Sequence, residues 1–231
     1  MKTLYQTVVF DFDYTLADSS PAVIECVKYA FESMGLAPVS AEAVCRTIGT
    51  SLPETLVTLA GEEQRPRVEE FRAFFRRRSD QIMVDRTKIY PAVPAALKSL
   101  REMGCRLAIV STKYRFRIEE TLRREGLLNA FDAIIGGDDV ECFKPDPQGL
   151  LLATRQTNTP AGKILYAGDS VTDAETARRA ETPFVAILSG PTRREDLSGY
   201  SVKAFLDHVG QLPAFLDNGA EGPTFSFKSA P

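Results

Sequence analysis

Five short apolar runs, none of them alternating with polar residues, most strongly constrain how this chain can fold. They lie at residues 8–10, 107–110, 133–135, 164–167 and 184–187. A strand that is apolar on both faces is typical of a parallel sheet covered by helices on both sides. Patterns with helical periodicity separate the later runs, at residues 94–103, 116–125, 148–155 and 172–180. The order strand, helix, strand therefore predicts an α/β fold with a doubly wound parallel sheet.

The first interval of this pattern is much longer than the others. About 95 residues follow Phe10 before the next strand begins, whereas one crossover needs only about a dozen. Residues 18–86 are strongly helical, with apolar side chains repeating at helical spacing. We therefore predict an α/β catalytic core formed by residues 1–17 and 87–217, with an inserted helical cap at 18–86. Two short linkers would let the cap move against the core, and we expect residues 218–231 to form a mobile tail.

Composition and charge exclude several classes of function. Of the 231 residues, 44% are hydrophobic and 26% charged, as in an ordinary globular chain. The net charge of −3 gives no general attraction for a polyanion, so we expect a small-molecule partner and no nucleic acid. No run of about 18 apolar residues occurs, so neither a membrane span nor a membrane partner is predicted. The four cysteines lack metal-site or redox spacing and the start lacks a signal-peptide pattern, which favours the cytoplasm.

Acidic residues follow two of the predicted strands. Asp11 and Asp13 come directly after the first, and their spacing places both side chains on one side of an extended chain. Asp169 lies at the tip of the strand at 164–167, and Asp173 lies one turn into the next helix. Each pair alone also fits a strand end or a helix cap. Because ligands of such sheets bind beyond the carboxyl ends of the strands, the fold brings Asp11, Asp13 and Asp169 into one crevice.

A cluster of carboxylates of this kind requires a cation. Oxygen ligands with no neighbouring His or Cys favour Mg²⁺, which keeps several waters and shares its coordination with a phosphate. The only histidine, His208, lies near the end of the fold and away from these strand ends, which excludes histidine-based catalysis. Ser111 and Thr112 follow the second strand and Lys144 follows the third. A hydroxyl and a lysine at that edge can hold and neutralise a phosphoryl group, although each signal is weak alone.

Together, these motifs resemble the haloacid dehalogenase (HAD) superfamily, in the helical-cap (C1) branch that includes phosphoglycolate phosphatases. The resemblance covers residues 5–215. In chain order the matching motifs are Asp11-Phe12-Asp13-Tyr14-Thr15-Leu16, Ser111, Lys144-Pro145, and Gly168-Asp169 with Asp173. The resemblance implies a HAD-like Rossmannoid core and a Mg²⁺-dependent phosphatase.

The resemblance also implies a role for each matching residue. Asp11 would attack phosphorus to form an aspartyl-phosphate, and Asp13 would protonate the leaving alcohol and then activate water. The implied catalytic residues are Asp11, Asp13, Ser111 and Lys144. The implied phosphate-binding groups are Phe12, Ser111, Thr112 and Lys144. The implied metal ligands are Asp11, Asp13 through its backbone carbonyl, and Asp169, with Asp173 orienting Asp169 or a metal-bound water.

Some residues depart from the family pattern or concern substrate choice. Tyr14 stands where the family usually has Gly, which implies either an allowed backbone or some strain. Thr112 stands where many relatives have Asn. Leu52 occupies the place where phosphoglucomutases of this branch carry a basic residue, which favours hydrolysis. The three arginines at 76–78 are interpreted as a solvated helix face, of which one or two at most face a single site.

The predicted function is hydrolysis of a small phosphorylated metabolite, with phosphoglycolate the first candidate. The alternatives are a phosphomutase of the β-phosphoglucomutase type and a non-catalytic binding module on the same fold. The presence of Asp13 argues against the binding module, because pure binding has no use for an acid–base residue. A monomer and a dimer both fit the sequence.

Overall fold

The computed structural model of the protein describes residues 4–219. In this part of the chain the strands are β1 (Thr7–Phe10), β2 (Ala17–Asp18), β3 (Lys88–Ile89), β4 (Arg106–Val110), β5 (Ala133–Ile135), β6 (Ile164–Gly168), β7 (Phe184–Ile187) and β8 (Val202–Leu206). The α-helices are α1 (Ser20–Ser33), α2 (Ala41–Cys45), α3 (Leu52–Ala60), α4 (Val68–Arg86), α5 (Val93–Glu102), α6 (Arg115–Arg124), α7 (Gln148–Gln156), α8 (Val171–Arg179) and α9 (Leu212–Asp217).

A six-stranded parallel sheet with the order β5-β4-β1-β6-β7-β8 forms the centre of the molecule. The predicted fold class is confirmed. The strand β1 lies where the chain changes direction across the sheet, from β4 and β5 on one side to β6, β7 and β8 on the other. In open α/β sheets this switch point forms the ligand crevice.

Side chains of alternate strand positions enter two apolar layers, one on each face of the sheet. Val8 and Phe10 belong to the layer that α5, α6 and α9 cover, whereas Val9 belongs to the layer that α7 and α8 cover. All three side chains are fully buried. Each such side chain contributes about 1.5–3 kcal/mol to folding, so these layers hold the strand ends in place.

The edge strand β8 is a feature that the sequence analysis missed. Only Val202 in it is buried, and the remaining residues are intermediate. An edge strand pairs on one side alone, so its sequence includes the polar Lys203 and lacks the continuous apolar run that marks the buried strands.

The helices α1 to α4 pack around an apolar core of their own. Its buried residues are Val27, Ala30, Phe31, Met34, Val44, Leu56 and Phe71. The two chain segments that lead to and from these helices pair as the antiparallel strands β2 and β3. The domain boundaries at residues 18 and 86 stay a prediction, and the predicted tail lies outside the described residues beyond Gly219.

The helix α6 joins the two groups of elements through two arginines. Arg117 donates a hydrogen bond of 2.8 Å to the carbonyl of Ser79 in α4 and pairs with Asp80 at 2.5 Å. Arg124 donates to the carbonyls of Val84 and Thr87, at the end of the same helix. The carboxyl-terminal half of α4 is therefore attached to α6 by charged donors.

Two other expectations concern His208 and membrane-spanning helices. His208 is exposed, and its Nδ1 accepts a hydrogen bond from the amide of Gly210 at the end of the fold. Within residues 4–219, no helix has the length and apolar character needed to cross a membrane.

Candidate active site

The predicted site residues meet at the carboxyl edge of the sheet. Asp11 follows the central strand β1, Ser111 follows β4 and Asp169 follows β6. All three are buried, with exposed fractions of 2%, 5% and 4%. Three adjacent parallel strands therefore place side chains that are far apart in the chain at one point, as the fold hypothesis required.

Lys144 lies at the centre of this group. Its Nζ is 2.8 Å from Oδ1 of Asp11 and 2.6 Å from Oδ1 of Asp173, and it donates to the hydroxyl of Tyr166 at 3.3 Å. Burial lowers the pKa of this ammonium group, but the two carboxylates outweigh burial and hold its pKa above the usual range. Lys144 is therefore a permanent positive charge between two acids.

Asp11 has an unusual electrostatic environment. Burial raises its pKa to about 7, and Asp173 and Asp13 add to that effect while Lys144 opposes it. Its Oδ1 accepts no hydrogen bond of regular geometry from the described residues, although it forms the ion pair with Lys144. An additional positive charge nearby stabilises the ionised form of a buried carboxylate whose pKa is raised in this way.

Asp169 also lacks a partner for its carboxylate among residues 4–219. Burial raises its pKa well above the usual range, and the neighbouring acids Asp173 and Asp11 raise it further. Carboxylate oxygens of Asp11, Asp169 and Asp173 lie within 4.8 Å of one another. Within this cluster, Asp11 and Asp169 are hard oxygen donors of the kind that a small divalent cation prefers.

Asp173 contributes to the site through its hydrogen bonds to Lys144 and other neighbours. Its Oδ1 accepts hydrogen bonds from Lys144 and from Tyr166 at 2.7 Å, and its Oδ2 accepts from the amide and hydroxyl of Ser170. Burial alone would raise its pKa, but Lys144 and these hydrogen bonds hold it below the usual range. Since both oxygens are already bound, Asp173 is poorly suited to bind a metal directly and well suited to fix Lys144.

The carboxylate of Asp13 lies outside that oxygen cluster. Its Oδ1 accepts a hydrogen bond of 2.5 Å from the hydroxyl of Ser19 and lies 3.1 Å from Nζ of Lys113. The predicted metal contact of Asp13 uses its backbone carbonyl and is independent of the direction of the side chain. The side chain is therefore available for a proton-transfer role on the side that faces the helices α1 and α4.

Backbone amides and hydroxyls around Asp11 offer hydrogen bonds to an anion. The amides of Phe12 and Thr112 have no acceptor among the described residues. The hydroxyl of Ser111 accepts from the amide of Lys113 at 3.3 Å and keeps its own proton to donate. The hydroxyl of Thr112 donates to the carbonyl of Gly49 at 3.2 Å, so this side chain connects β4 to the loop before α3.

Tyr14 adopts the left-handed backbone conformation, with φ of 60°. This conformation normally favours glycine, the residue that the family pattern has here. Tyr14 is 8% exposed, and burial raises the pKa of its hydroxyl above the usual range. Loss of a buried aromatic ring costs about 3–5 kcal/mol, which offsets the roughly 1–3 kcal/mol of backbone strain, so the tyrosine is tolerated.

A cavity of about 110 Å³ lies between the sheet edge and the helices α3 and α4. Asp13 and Lys113 line it on the sheet side. Most of the wall is apolar, and Ile48, Leu52, Phe75 and Met83 contribute to it. The cavity has the size of a small leaving group and opens next to the predicted acid–base residue.

Comparison with known proteins identifies the family. A family model described as haloacid dehalogenase-like hydrolase matches residues 8–187. The chain belongs to the haloacid dehalogenase-like hydrolases. A phosphoglycolate phosphatase of Rhodobacter capsulatus is 35% identical over 218 residues, which are 91% of this chain and 96% of that protein. A crystal structure of a protein from Bacteroides fragilis, described as haloacid dehalogenase-like, matches with a TM-score of 0.87 and 38% identity over 90% of this chain and 99% of that one.

These similarities also bear on the class of enzyme. A phosphoglycolate phosphatase of Pseudomonas fluorescens is 28% identical over 227 residues, 94% of this chain and 82% of that protein. The predicted enzyme class, a phosphatase of the haloacid dehalogenase-like family, is confirmed. The roles of individual residues stay predictions.

Some residues of this haloacid dehalogenase-like site were not predicted from the sequence. Tyr166, which holds Asp173, is an aromatic residue within an apolar strand and gives no separate signal. Ser19, which binds Asp13, lies in the linker after β2. Gly190 lies beside Asp169, and a Cβ atom there would be only 2.1 Å from Oδ2 of Asp169. Lys113, which pairs with Asp13, directly follows Ser111 and Thr112 in the chain, so a positive charge near this strand end could have been anticipated.

Proposed function

We propose that this phosphatase hydrolyses a small phosphomonoester by transferring the phosphoryl group to Asp11 and then to water. The observation that carries the proposal is the pairing of buried Asp11 with Lys144 at 2.8 Å, beside the unpartnered carboxylate of Asp169. A nucleophile needs a free oxygen and a nearby positive charge to approach a phosphate dianion. The residues at this switch point supply both.

We propose Mg²⁺ as the cofactor, bound by Asp11, Asp169 and the backbone carbonyl of Asp13. The fit rests on the donor chemistry, because Asp11 and Asp169 are buried together with more negative charge than Lys144 alone offsets, and no nitrogen or sulfur ligand is among them. When bound, the ion would supply positive charge that reduces repulsion between Asp11 and the phosphate.

The residues of the chain have separate tasks in the proposed reaction. Lys144 holds Asp11 in place and neutralises charge on the transferring group. The hydroxyl of Ser111 and the free amides of Phe12 and Thr112 would donate hydrogen bonds to the phosphoryl oxygens. Asp13 would give its proton to the oxygen of the leaving alcohol and later remove one from the attacking water.

The cavity supports a small substrate. The named relatives are phosphoglycolate phosphatases, and a cavity of about 110 Å³ next to Asp13 suits a leaving group of a few heavy atoms. Phosphoglycolate is therefore the first candidate substrate. The phosphomutase alternative needs groups for a second phosphate at the start of α3, whereas Leu52 places an apolar side chain there.

The cytoplasm is the proposed compartment. The four cysteines, all within the described residues, form no disulfide. Reduced cysteines are usual in a reducing compartment.

Phosphate release from a panel of small phosphomonoesters tests the proposal. We expect release from phosphoglycolate and from few other esters, and we expect EDTA to abolish it and added Mg²⁺ to restore it. A sugar phosphate and a nucleoside monophosphate of larger volume serve as comparison substrates. Equal rates on all esters would contradict a specific small-substrate site, and release that survives EDTA would contradict the metal.

Gly190 offers a test of the proposed metal ligands. In Gly190→Ala the new methyl group would lie 2.1 Å from Oδ2 of Asp169, so the carboxylate must turn away. We expect the Mg²⁺ concentration for half-maximal activity to rise by about 10–100-fold, as when the surroundings of a ligand are disturbed. A Mg²⁺ titration of activity measures the shift.

Gly199→Ala is the matched control for this test, because no atom lies within 4 Å of its added methyl group. Its Mg²⁺ dependence should equal that of the wild type. An unchanged Mg²⁺ titration in Gly190→Ala would argue against Asp169 as a ligand.

A further inference from the structure

The charges around the cavity are strongly unbalanced. Asp13 is the single acidic residue among those that line it, and the basic residues are Arg72, Arg76, Lys113 and Arg117. A cavity with this balance attracts an anion. The proposed function places the phosphoryl group at Asp11, so the excess positive charge is available to the other end of the substrate, the leaving alcohol.

Three of these four basic side chains are matched by a carboxylate. Lys113 pairs with Asp13, and Arg117 pairs with Asp80. Arg72 pairs with Glu69 at 3.3 Å. The charges of Arg72 and Arg117 are therefore compensated within the protein, and that of Lys113 is compensated while Asp13 is ionised.

Arg76 differs from the other three. Among residues 4–219 it has no carboxylate partner, and its guanidinium instead donates to the hydroxyl of Tyr114 at 3.1 Å and lies over the ring of Tyr114 at 5.3 Å. Arg76 is exposed on its outer side and lines the cavity on its inner side. The contact with Tyr114, which also lines the cavity, orients a charge that forms no ion pair within residues 4–219.

The helix α4 turns Arg76 towards the cavity, and it turns the next two arginines, Arg77 and Arg78, elsewhere. Phe75, Arg76, Ser79 and Met83 line the cavity, at the spacing of one helix face. Arg78 pairs with Glu25, and Arg77 does not line the cavity. Interpreting the three arginines only as a solvated face therefore misses the position of Arg76.

We propose that Arg76, oriented by Tyr114, binds a carboxylate on the leaving alcohol and thereby selects phosphorylated hydroxy acids over neutral phosphomonoesters. A guanidinium forms two parallel hydrogen bonds with a carboxylate, and one uncompensated positive charge matches one monoanion. This inference rests on the proposed function and adds to it the residue that distinguishes substrates. Arg76 acts on specificity and is distinct from the groups that transfer the phosphoryl group.

The test compares two esters that differ in one group. Phosphoglycolate carries the carboxylate, and 2-hydroxyethyl phosphate carries a neutral hydroxymethyl group in its place. We expect Arg76→Gln to lower kcat/KM for phosphoglycolate about tenfold, mainly through KM, and to change kcat/KM for 2-hydroxyethyl phosphate less than about twofold. Arg77→Gln, one residue further along the same helix, should leave both values near those of the wild type. Tyr114→Phe should lower kcat/KM for phosphoglycolate selectively, and the decrease should be smaller than in Arg76→Gln.

Equal losses on both esters in Arg76→Gln, or no loss on either, would overturn the inference. A calorimetric titration tests the role of Arg76 independently of the proposed function. Phosphoglycolate binding is measured in Asp11→Asn with and without Arg76→Gln, so no turnover is needed. Binding that weakens about tenfold, in an enzyme that does not hydrolyse phosphoglycolate, would support Arg76 while refuting the proposed substrate. Absence of measurable binding to either protein would overturn the role of Arg76.

Discussion

Asp11→Asn should abolish phosphate release, with a loss of at least about 10⁴-fold in kcat on every ester that the wild type hydrolyses. The amide has nearly the same shape as the carboxylate but lacks the negative oxygen that attacks phosphorus. It also lacks one charge of the proposed metal site. Measurement of phosphate release under saturating Mg²⁺ separates the loss of the nucleophile from weaker metal binding.

The fold should survive this substitution. Burial raises the pKa of Asp11 to about 7. Above that pH the folded protein contains an ionised, buried carboxylate, which lowers the free energy of unfolding. A neutral amide avoids that cost, and Lys144 keeps its contact with Asp173. We expect the unfolding temperature of metal-free Asp11→Asn to match or exceed that of metal-free wild type at pH 8. Asp217→Asn, on the exposed end of α9, is the control that should retain full activity. Residual turnover above about 1% of the wild-type rate would contradict Asp11 as the nucleophile.

Lys144→Met should reduce both activity and stability. The side chain of Lys144 is 4% exposed and lies between the carboxylates of Asp11 and Asp173, which are 2% and 0% exposed. Removing the ammonium group leaves two buried acids without a positive partner, at a cost of about 3–5 kcal/mol. In a protein of this size that corresponds to a fall of about 10 °C in the unfolding temperature. Thermal unfolding of the metal-free proteins measures the change.

A second substitution tests the physical reason for this effect. In the double variant Lys144→Met with Asp173→Asn, one unpaired charge is removed, so we expect part of the lost stability to return while activity stays absent. Lys98→Met is the matched control, because Lys98 is 77% exposed and 3.9 Å from Glu102. It should change the unfolding free energy by less than about 0.5 kcal/mol. Equal stability of Lys144→Met and wild type would contradict a central role for this buried ion pair.

Much of the fold could be predicted because buried strands leave a distinct pattern. Val8, Val9 and Phe10 are all fully buried on the two faces of the sheet, and their apolar run needs no tertiary knowledge to be recognised. The edge strand β8 lacks that pattern, since partial exposure permits Lys203 within it. A strand whose burial is incomplete therefore has to be found from its pairing with β7.

Residues of the candidate site also differ in whether the sequence alone could place them. Asp11 and Asp169 could be placed together because parallel strands end at one edge, which is a rule of topology. The position of Gly190 against Asp169, and of Ser19 against Asp13, depends on how loops pack after the sheet is formed. The direction of Arg76 depends on the rotation of α4 about its axis, which three adjacent arginines do not define. Such contacts follow from packing and have no local sequence signature.

The arginines of α6 determine where the cavity can open. Arg117 and Arg124 hold the carboxyl-terminal half of α4 through Ser79, Asp80, Val84 and Thr87. On the opposite side, a neutral hydrogen bond from Thr112 to the carbonyl of Gly49 joins the segment after β4 to the loop before α3. Charged hydrogen bonds are stronger than neutral ones, so the loop should separate first while the end of α4 stays attached. Substrate would then enter and product would leave past the loop at Gly49.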